Sequence, residues 1–596
     1  MSVLDRIERL RNVMEQQKID CYIIPTDDYH HSEYVGDYFK FREYITGFTG
    51  SAGTAVFTKD KAGLWTDGRY FIQAEAQLKG SGITLYKSGE SDVPTIEEFL
   101  KSELKEGDVL GFDGRTVTYA QGKRYCHIAD ENGASLKYSL DFAQNIWKER
   151  PEMSMESVFS LEDEYTGEKI GSKLERIREI MKENGCNAHV LSSLDDIAWL
   201  LNIRGNDIAY CPLVLSYAIV YNNSVELFAD IRKFSDDIIN LLAENQVKIY
   251  PYEDIYRKVS EMTSEDKLLL DSAIMNYSLY QAISKETVIV DKQNPEILMK
   301  SVKNETQAEN LRKAHLKDAV AHTKFIYWLK KNIGKVEITE LSASARLEGL
   351  RAEQEHFLGP SFGPISAYGE HGAIVHYSAD EKSNVPLKEG KLFMTDTGGH
   401  YLEGSTDITR TVALGEVGNI EKEHFTLVAR AMLRLANTVF LYGCSGANLD
   451  CIAREVFWKE GLNFNHGTGH GVGYLLNIHE GPINFRWKEG ERPAPALEEN
   501  MVITDEPGIY IEGSHGIRLE NELLVRKTVK NEYGQFMNFE ILTYVPIDLD
   551  AILPEKMSTE EKEMLNHYHK QVYEKVSPYL SEEERIWLKE YTRAVK

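Results

Sequence analysis

Apolar residues near the N terminus recur at helical steps and then give way to an apolar run typical of a buried strand. Ile7, Leu10 and Met14 share one face of a helix predicted over residues 5 to 17, and the segment CYIIP follows. The same pattern returns at residues 173 to 195, where KLERIREIMKENGCNAHVLSSLD aligns with residues 6 to 28 without a gap. We therefore predict two copies of one α/β unit at the start of the chain.

Two motifs in the first copy suggest ligand binding, but the pattern around each favours a structural role. GFTGSAG leads into the alternating strand TAVFT, whereas a phosphate-binding loop should open a helix, so its glycines are interpreted as tight turns. DDYHHSEY carries His30 and His31, which point to opposite faces of an extended chain. No metal is assigned there.

The pattern predicts three domains. An acidic stretch of low apolar content at residues 151 to 169 marks the first boundary, and Asn304 begins a long helix as an N-cap with Gln307 three positions on. We predict domains at residues 1–155, 156–302 and 303–596, the last ending in a charged helical extension. Because the third domain mixes helices with hairpins, an α+β architecture is expected for it.

Residues 391 to 410, KLFMTDTGGHYLEGSTDITR, predict a hairpin that joins two extended runs through a glycine-rich turn. Asp396 and Asp407 are equally far from its middle, near Tyr401 and Leu402. An antiparallel pairing about that centre sets the two carboxylates opposite each other.

A second hairpin is predicted in VITDEPGIYIEGSHGIRLENELLV, where Glu506 and Glu520 are symmetric about Gly513. Between the hairpins, HGTGHGVGYLLNIHEG supplies three histidines, namely His466, His470 and His479. Four carboxylates brought together would repel one another unless cations compensate them. With at least one imidazole beside them, the pattern predicts a site for two divalent metal ions.

Composition and charge narrow the classes of partner. The 596 residues are 42% hydrophobic and 27% charged, which is typical of a globular protein. The formal charge of −26 opposes binding to nucleic acid or to an anionic membrane. Six scattered cysteines, an amphipathic charged start and no long apolar run predict a cytoplasmic location.

The ordered motifs DTGG, STDITR, HGTGHGVG, NIHEGP, TDEPGIY and GIRLEN show a resemblance to a known family. With them the chain resembles the metal-dependent pita-bread peptidases, and among these the three-domain Xaa-Pro aminopeptidases (aminopeptidase P). DGRYF, GFTGSAG and LDDIAWLLNIRG extend the likeness over the first two domains. The resemblance implies an α+β pita-bread catalytic domain preceded by two α/β creatinase-N-like domains.

The resemblance also implies roles for individual residues. The family's metal ligands correspond to Asp396, Asp407, His470, Glu506 and Glu520. Its supporting histidines correspond to His376, His466 and His479, and its cleft arginine to Arg518. All five ligand positions are intact, which disfavours a metal-free, creatinase-like hydrolase and a pita-bread module that only binds partners.

The donor set suits Mn²⁺, with Zn²⁺, Co²⁺ or Fe²⁺ as alternatives, because borderline ions accept both carboxylate and imidazole. The expected reaction is attack on the first peptide carbonyl by a hydroxide that bridges the two metals. Glu506 is expected to transfer the proton, His376 and His479 to steady the tetrahedral intermediate, and Arg518 to orient a carboxylate or the substrate.

Substrate and assembly follow from the resemblance alone. It implies peptides with proline at the second position, cleaved before that proline, and a homodimer built through the third domain. A prolidase-like dipeptidase with the same metals is the enzyme alternative, and it would require the carboxylate of an Xaa-Pro dipeptide.

Overall fold

The computed structural model describes residues 1–488, 490 and 492–596. They form two compact units, of which the first contains residues 1–161 and 168–296 and the second contains residues 162–167 and 297–596. The predicted limits of the two α/β domains inside the first unit stay a prediction. In the described part of the chain, no helix has the length and apolar character needed to cross a bilayer.

The first unit contains two six-stranded sheets and the short pair of strands Phe159–Ser160 and Ile203–Arg204, and the first six-stranded sheet is built from the N-terminal segment. The elements of this segment are α1 (Val3–Gln17), β1 (Cys21–Pro25), α2 (Phe41–Thr46), β2 (Thr54–Thr58), β3 (Ala62–Thr66), α3 (Phe71–Gln77), β4 (Thr84–Lys87), α4 (Ile96–Glu103), β5 (Val109–Phe112), α5 (Tyr119–Glu131), β6 (Ser135–Lys137) and α6 (Ala143–Ile146). The strand order is β4-β3-β2-β1-β5-β6. As predicted, the GFTGSAG glycines precede strand β2 and not a helix.

The second sheet repeats the first. Its segment comprises β7 (Phe159–Ser160), α7 (Asp163–Thr166), which belongs to the second unit, α8 (Ile170–Glu183), β8 (Ala188–Leu191), α9 (Leu194–Leu200), β9 (Ile203–Arg204), β10 (Tyr217–Tyr221), β11 (Val225–Phe228), α10 (Asp236–Glu244), β12 (Val247–Tyr250), α11 (Asp254–Ser260), β13 (Lys267–Leu270), α12 (Tyr277–Ala282) and β14 (Val288–Asp291). The order β12-β11-β10-β8-β13-β14 matches that of the first sheet position by position. Strands β1 and β8 each pair with one antiparallel and one parallel neighbour, so the two sheets share one topology.

Helices and antiparallel hairpins alternate in the second unit. Its elements are α13 (Pro295–Ser301), which begins in the first unit, α14 (Glu305–Asn332), α15 (Glu340–Ala352), β15 (Phe357–Pro360), β16 (Ile365–Tyr368), β17 (Lys391–Thr397), β18 (Gly399–Tyr401), β19 (Gly404–Ser405), β20 (Ile408–Leu414), α16 (Asn419–Ala436), β21 (Phe440–Leu441), α17 (Gly446–Trp458), β22 (Gly469–Val472), β23 (His479–Phe485), β24 (Val502–Asp505), β25 (Gly508–Ile511), β26 (His515–Arg518), β27 (Asn521–Asn531), β28 (Gly534–Ile541), α18 (Thr559–Val576) and α19 (Glu582–Tyr591). The expected α+β mixture is confirmed.

Helix caps tie local sequence to these boundaries. Asn304 and Gln307 form the predicted capping box at the start of α14. At the start of α17, Ser445 is the N-cap and Asn448 is the third residue of the helix, where its side chain completes a second capping box.

The sheets that carry the acidic residues lie in the second unit. Strands β16, β17 and β20 form one sheet, and β21-β28-β27-β24-β22-β23 form a larger one. Strands β25 and β26 pair separately beyond the end of β24. A hydrophobic core that includes Phe393, Val412 and Ile503 packs beneath these strands, so the chain at the acidic positions has a rigid support.

Candidate metal centre

The first acidic hairpin is shifted by two residues from the register that the sequence suggested. Tyr401 pairs with Gly404, so the hairpin is centred between Leu402 and Glu403, and Asp396 pairs with Thr409 instead of Asp407. The correction keeps the chemistry, because a shift of two residues leaves both carboxylates on the same face as diagonal neighbours.

The second acidic hairpin has the predicted register. Ile511 pairs with His515 and Gly508 with Arg518, and the turn between them contains Gly513 at φ +70°. Asp505 and Asn521 continue the same register in the larger sheet. Glu506 and Glu520 therefore lie between two paired stretches, where neighbouring backbone bonds fix their positions.

His470 lies on β22, in the loop-rich segment between the hairpins. Its Nδ1 lies 2.8 Å from the carbonyl oxygen of Gly471, so Nδ1–H donates there and Nε2 is the nitrogen left for a metal ion. Nε2 is 3.4 Å from Asp407 Oδ2 and 3.8 Å from Glu506 Oε1. This tautomer is the one that a metal-ligating histidine requires.

Three overlapping groups of metal-type ligands occur in this region of the described chain, each with ligand atoms within 4.8 Å of one another. They are Asp396 with Asp407 and Glu520, then His470 with Glu506 and Glu520, and finally Asp407 with His470 and His479. Shared members join the groups into one cluster. It contains all five residues expected as ligands, together with His479.

The carboxylates of this cluster raise one another's pKa. Burial and the neighbouring Asp407 raise the pKa of Asp396, although Arg518 opposes the shift. Burial, together with Asp407, Glu506 and Asp396, raises the pKa of Glu520 well above its usual value. Burial raises the pKa of Glu506 to about 7, with the other carboxylates adding to the effect and His470 and Arg518 opposing it.

These features fit a pair of divalent cations. Oδ1 of Asp396 is buried and has no hydrogen-bond partner among the described residues. Nε2 of His470 faces the same carboxylates. Since a buried acidic cluster is unfavourable without positive charge, and since carboxylates with one imidazole suit borderline ions, the donor set matches a dinuclear site.

Arg518 is joined to the cluster through Asp396. Its Nη2 donates to Asp396 Oδ2, and its Nη1 donates to the hydroxyl of Tyr510 at 2.8 Å. The Tyr510 hydroxyl lies 2.8 Å from Nε2 of His466, whose Nδ1 is 2.7 Å from the carbonyl of Gly467. His466 is thus linked to the acidic cluster through Tyr510 and Arg518.

His376 and His466 are outside the three ligand groups found in the described residues. His376 is half-buried and follows the short 3₁₀ helix Gly369–Ala373. The carbonyl of Val375, its neighbour, lies 3.4 Å from both Nη1 and Nη2 of Arg518. The structure therefore places the His376 segment next to the arginine that holds Asp396.

Several supporting residues escaped the sequence analysis. Glu522 accepts the backbone N–H of Asp407 at 2.6 Å, and Nε2 of His315 lies 3.1 Å from the same carboxylate oxygen. Arg410 donates to the carbonyl of Glu520 and, at 2.7 Å, to the hydroxyl of Tyr568 on α18. Arg410 and Tyr510 end the motifs STDITR and TDEPGIY, and this position in a motif is the sequence signal that could have found them.

Comparisons with known proteins agree with this geometry. Residues 309–527 match the family model described as metallopeptidase family M24, and residues 535–595 match the C-terminal region of peptidase M24. Residues 6–137 and 149–307 each match a creatinase/prolidase N-terminal domain. Xaa-Pro aminopeptidase 1 of Dictyostelium discoideum is 36% identical over 97% of this chain and 94% of the relative. The chain belongs to the Xaa-Pro aminopeptidases of metallopeptidase family M24.

Other members of the family show the same extent of likeness. Aminopeptidase P1 of Arabidopsis thaliana is 34% identical over 99% of each chain. The crystal structure of the X-prolyl aminopeptidase from Caenorhabditis elegans, described as a cytosolic enzyme with a di-nuclear active site, superposes with a TM-score of 0.95 over 100% of both chains at 33% identity. The predicted fold class, an α+β pita-bread domain after two α/β creatinase-like domains, is confirmed.

A Xaa-Pro dipeptidase from Bacillus anthracis shares the fold over a smaller part of the chain. It is 24% identical and covers 64% of this chain with a TM-score of 0.51. At that identity the likeness concerns the fold alone.

Proposed function

We propose that this protein is a metal-dependent Xaa-Pro aminopeptidase that hydrolyses the peptide bond between an N-terminal residue and a following proline. The observation that carries the proposal is the convergence of Asp396, Asp407, His470, Glu506 and Glu520 in one cluster. The full-length relatives named Xaa-Pro aminopeptidase and the dinuclear X-prolyl aminopeptidase of the same fold support it.

The five clustered residues would hold two divalent ions, and we assign Mn²⁺ as the preferred metal on the oxygen-rich donor set. When bound, such a pair supplies Lewis acid polarisation of the peptide carbonyl and lowers the pKa of water. Thr409 Oγ1 donates to Glu520 at 2.8 Å, and Arg518 donates to Asp396. These bonds fix the carboxylate planes before any ligand arrives.

Glu506 is the residue best placed to move a proton. Its carboxylate lies in the cluster, with Oε1 3.8 Å from Nε2 of His470, so it would take a proton from the attacking water and pass it to the leaving nitrogen. The side chain is 20% exposed, so water and substrate can reach it.

His479 and His376 are assigned to the tetrahedral intermediate. The ring of His479 lies edge-on against that of His470, with centroids 4.3 Å apart, so it faces the acidic cluster directly. His376 would approach from the segment beside Arg518. Each would donate a hydrogen bond to oxygen that gains negative charge during the reaction.

Release of arginine from Arg-Pro-Pro tests the proposal. Protein stripped with chelator and resupplied with Mn²⁺ is expected to cleave this peptide and to leave Arg-Ala-Ala intact. Cleavage of both peptides would contradict the requirement for proline. Absence of cleavage with every metal tested would contradict the enzymatic function. Exclusive cleavage of the dipeptide Arg-Pro would favour the prolidase-like alternative.

Location and assembly belong to the same proposal. The cytosolic description of the related C. elegans enzyme and the charge of −26 support a cytoplasmic protein that binds neither membranes nor nucleic acid. A homodimer is expected from the family resemblance, and light scattering after gel filtration would refute it by detecting only the monomer mass of 68.0 kDa.

A further inference from the structure

Glu340 is a fully buried carboxylate whose hydrogen-bond partners are all donors. It is the first residue of α15, and its side chain is 0% exposed. Oε1 accepts the backbone N–H of Tyr368 and Nδ1–H of His371, both at 2.8 Å. Oε2 accepts the Tyr377 hydroxyl at 2.9 Å and the Val385 N–H at 3.3 Å. Four donors from four positions of the chain therefore converge on the two oxygens of one carboxylate.

Two of these donors enclose the segment that carries His376. His371 and Tyr377 lie on either side of residues 372–376, and their rings stack with centroids 4.5 Å apart. Glu340 therefore holds both ends of a short loop together. The outer two donors, Tyr368 and Val385, attach the flanking chain to the same carboxylate.

The other side of this segment rests on the second acidic hairpin. Gly372 touches Gly516 so closely that a Cβ on Gly516 would lie 1.6 Å from the Gly372 carbonyl oxygen. Arg518 reaches the carbonyl of Val375 at 3.4 Å. The loop is thus held between Glu340 and the hairpin that carries Glu506, Arg518 and Glu520, and a change at Glu340 would release one of its two supports.

We propose that Glu340, acting through His371 and Tyr377, is a positioning residue that fixes the orientation of His376 toward the reacting carbonyl. The inference rests on the proposed function and adds a residue that lies outside the acidic cluster. Glu340 does not touch substrate or metal in this scheme. Its effect on turnover is transmitted entirely by the loop that contains His376.

The test begins with Glu340→Gln in the Mn²⁺-loaded protein. The glutamine side chain replaces one acceptor oxygen with an NH₂ group, which cannot accept hydrogen bonds from the donors that surround this position. Cleavage of Arg-Pro-Pro is expected to fall in kcat by at least about tenfold, the effect of losing charge-assisted hydrogen bonds, while KM changes by less than about twofold. Metal content is expected to stay at the wild-type value. An unchanged kcat would overturn the proposal.

Glu561→Gln is the matched control. Glu561 is also a buried glutamate at the start of a helix. Its carboxylate accepts the backbone N–H of the N-cap residue Ser558 and pairs with Arg430 at 3.0 Å. A comparable loss of thermal stability without loss of kcat is expected for this variant. If Glu561→Gln lowers kcat as much as Glu340→Gln does, the effect of Glu340 is only one of general stability and the proposal fails.

A double-mutant cycle separates positioning from any independent role. In a His376→Ala background, Glu340→Gln is expected to cause no further loss of kcat, because the group that it positions is absent. A full additional loss in that background would overturn the proposal. If the wild-type protein is inactive, the proposed function itself is contradicted. If the wild type is active and the losses of kcat in the two variants add up, only the role of Glu340 is contradicted.

A second pair of variants keeps the test decisive if Glu340→Gln does not fold. His371 is 21% exposed at its side chain and tolerates exchange more readily. His371→Leu removes the donor and is expected to lower kcat, whereas His371→Asn keeps an N–H near the position of Nδ1 and is expected to restore most of it. Equal kcat values for the two variants would contradict the proposal.

Discussion

Arg518 and Asp396 form a buried ion pair that joins the two acidic hairpins, with Nη2 of the arginine donating to Oδ2 of the aspartate. The arginine opposes the rise in the pKa of Asp396 that burial and Asp407 cause. It therefore favours the ionised form of one prospective metal ligand, and it does so from the strand that ends two residues before Glu520.

Replacement of Arg518 by methionine is expected to weaken Mn²⁺ binding by about 10- to 100-fold, the usual effect of removing a group that orients a metal ligand. The cause is the loss of positive charge beside Asp396, which raises the pKa of that carboxylate further. Isothermal titration of chelator-stripped protein with Mn²⁺ would measure the change. Wild-type affinity in this variant would show that the ion pair serves only the packing of the hairpins.

Glu506→Gln and His470→Ala are expected to abolish turnover of Arg-Pro-Pro while the fold survives. Glutamine removes the carboxylate that moves the proton, and alanine removes the imidazole Nε2 that faces Asp407 and Glu506. Activity and circular dichroism, measured on the same samples, would check both statements. Near-normal turnover in both variants would rule out the site.

Gly516→Ala is expected to lower activity because its methyl group would collide with the backbone of Gly372 and displace the His376 segment. Gly349→Ala is the control, since a Cβ there meets nothing within 4 Å in the middle of α15. Alanine at Gly349 should stabilise the helix by about 0.5–1 kcal/mol. If Gly516→Ala and Gly349→Ala have the same thermal stability and the same kcat, the importance of the close contact between Gly516 and Gly372 is contradicted.

Metal-free protein is expected to lose stability as the pH rises from about 4.5 to about 7. Burial raises the pKa of Glu506 from its usual 4.5 to about 7, so the folded chain binds more protons than the unfolded chain over this interval. The free energy of unfolding therefore falls as the pH rises, and this group contributes a total decrease of about 3 kcal/mol over the interval. Urea unfolding in the presence of EDTA would measure the slope.

Two controls accompany that measurement. Glu506→Gln should flatten the dependence on pH, since the amide does not titrate. Mn²⁺ should restore stability most at the upper end of the interval, where the carboxylates are ionised and bind cations best. A slope that is the same in wild type and Glu506→Gln would contradict the role of this carboxylate.

The sequence predicted those parts of the fold and site that depend on local patterns. The register of the second hairpin followed from symmetry about Gly513, whose positive φ suits a glycine turn. The repeated sheet followed from the alignment of its first helix and strand. The five clustered residues were found because acidic pairs in hairpins and histidines between them are visible along the chain.

The remaining parts depend on contacts between distant segments. The register of the first hairpin was wrong by two residues because its tight turn lies at Leu402 and Glu403, which the glycine-rich composition nearby concealed. Glu340 lies 28 to 45 residues before its four partners, and no local pattern connects them.

The anchoring of Arg410 has a consequence for biosynthesis. This arginine bonds the carbonyls of Glu520 and Val545 and also the hydroxyl of Tyr568, so docking of α18 completes the support of the strand that follows Asp407. On a ribosome the acidic hairpins emerge well before α18, and they do so without this support. Metal ions should therefore be held most firmly once α18 is in place, and truncation of α18 should weaken their retention.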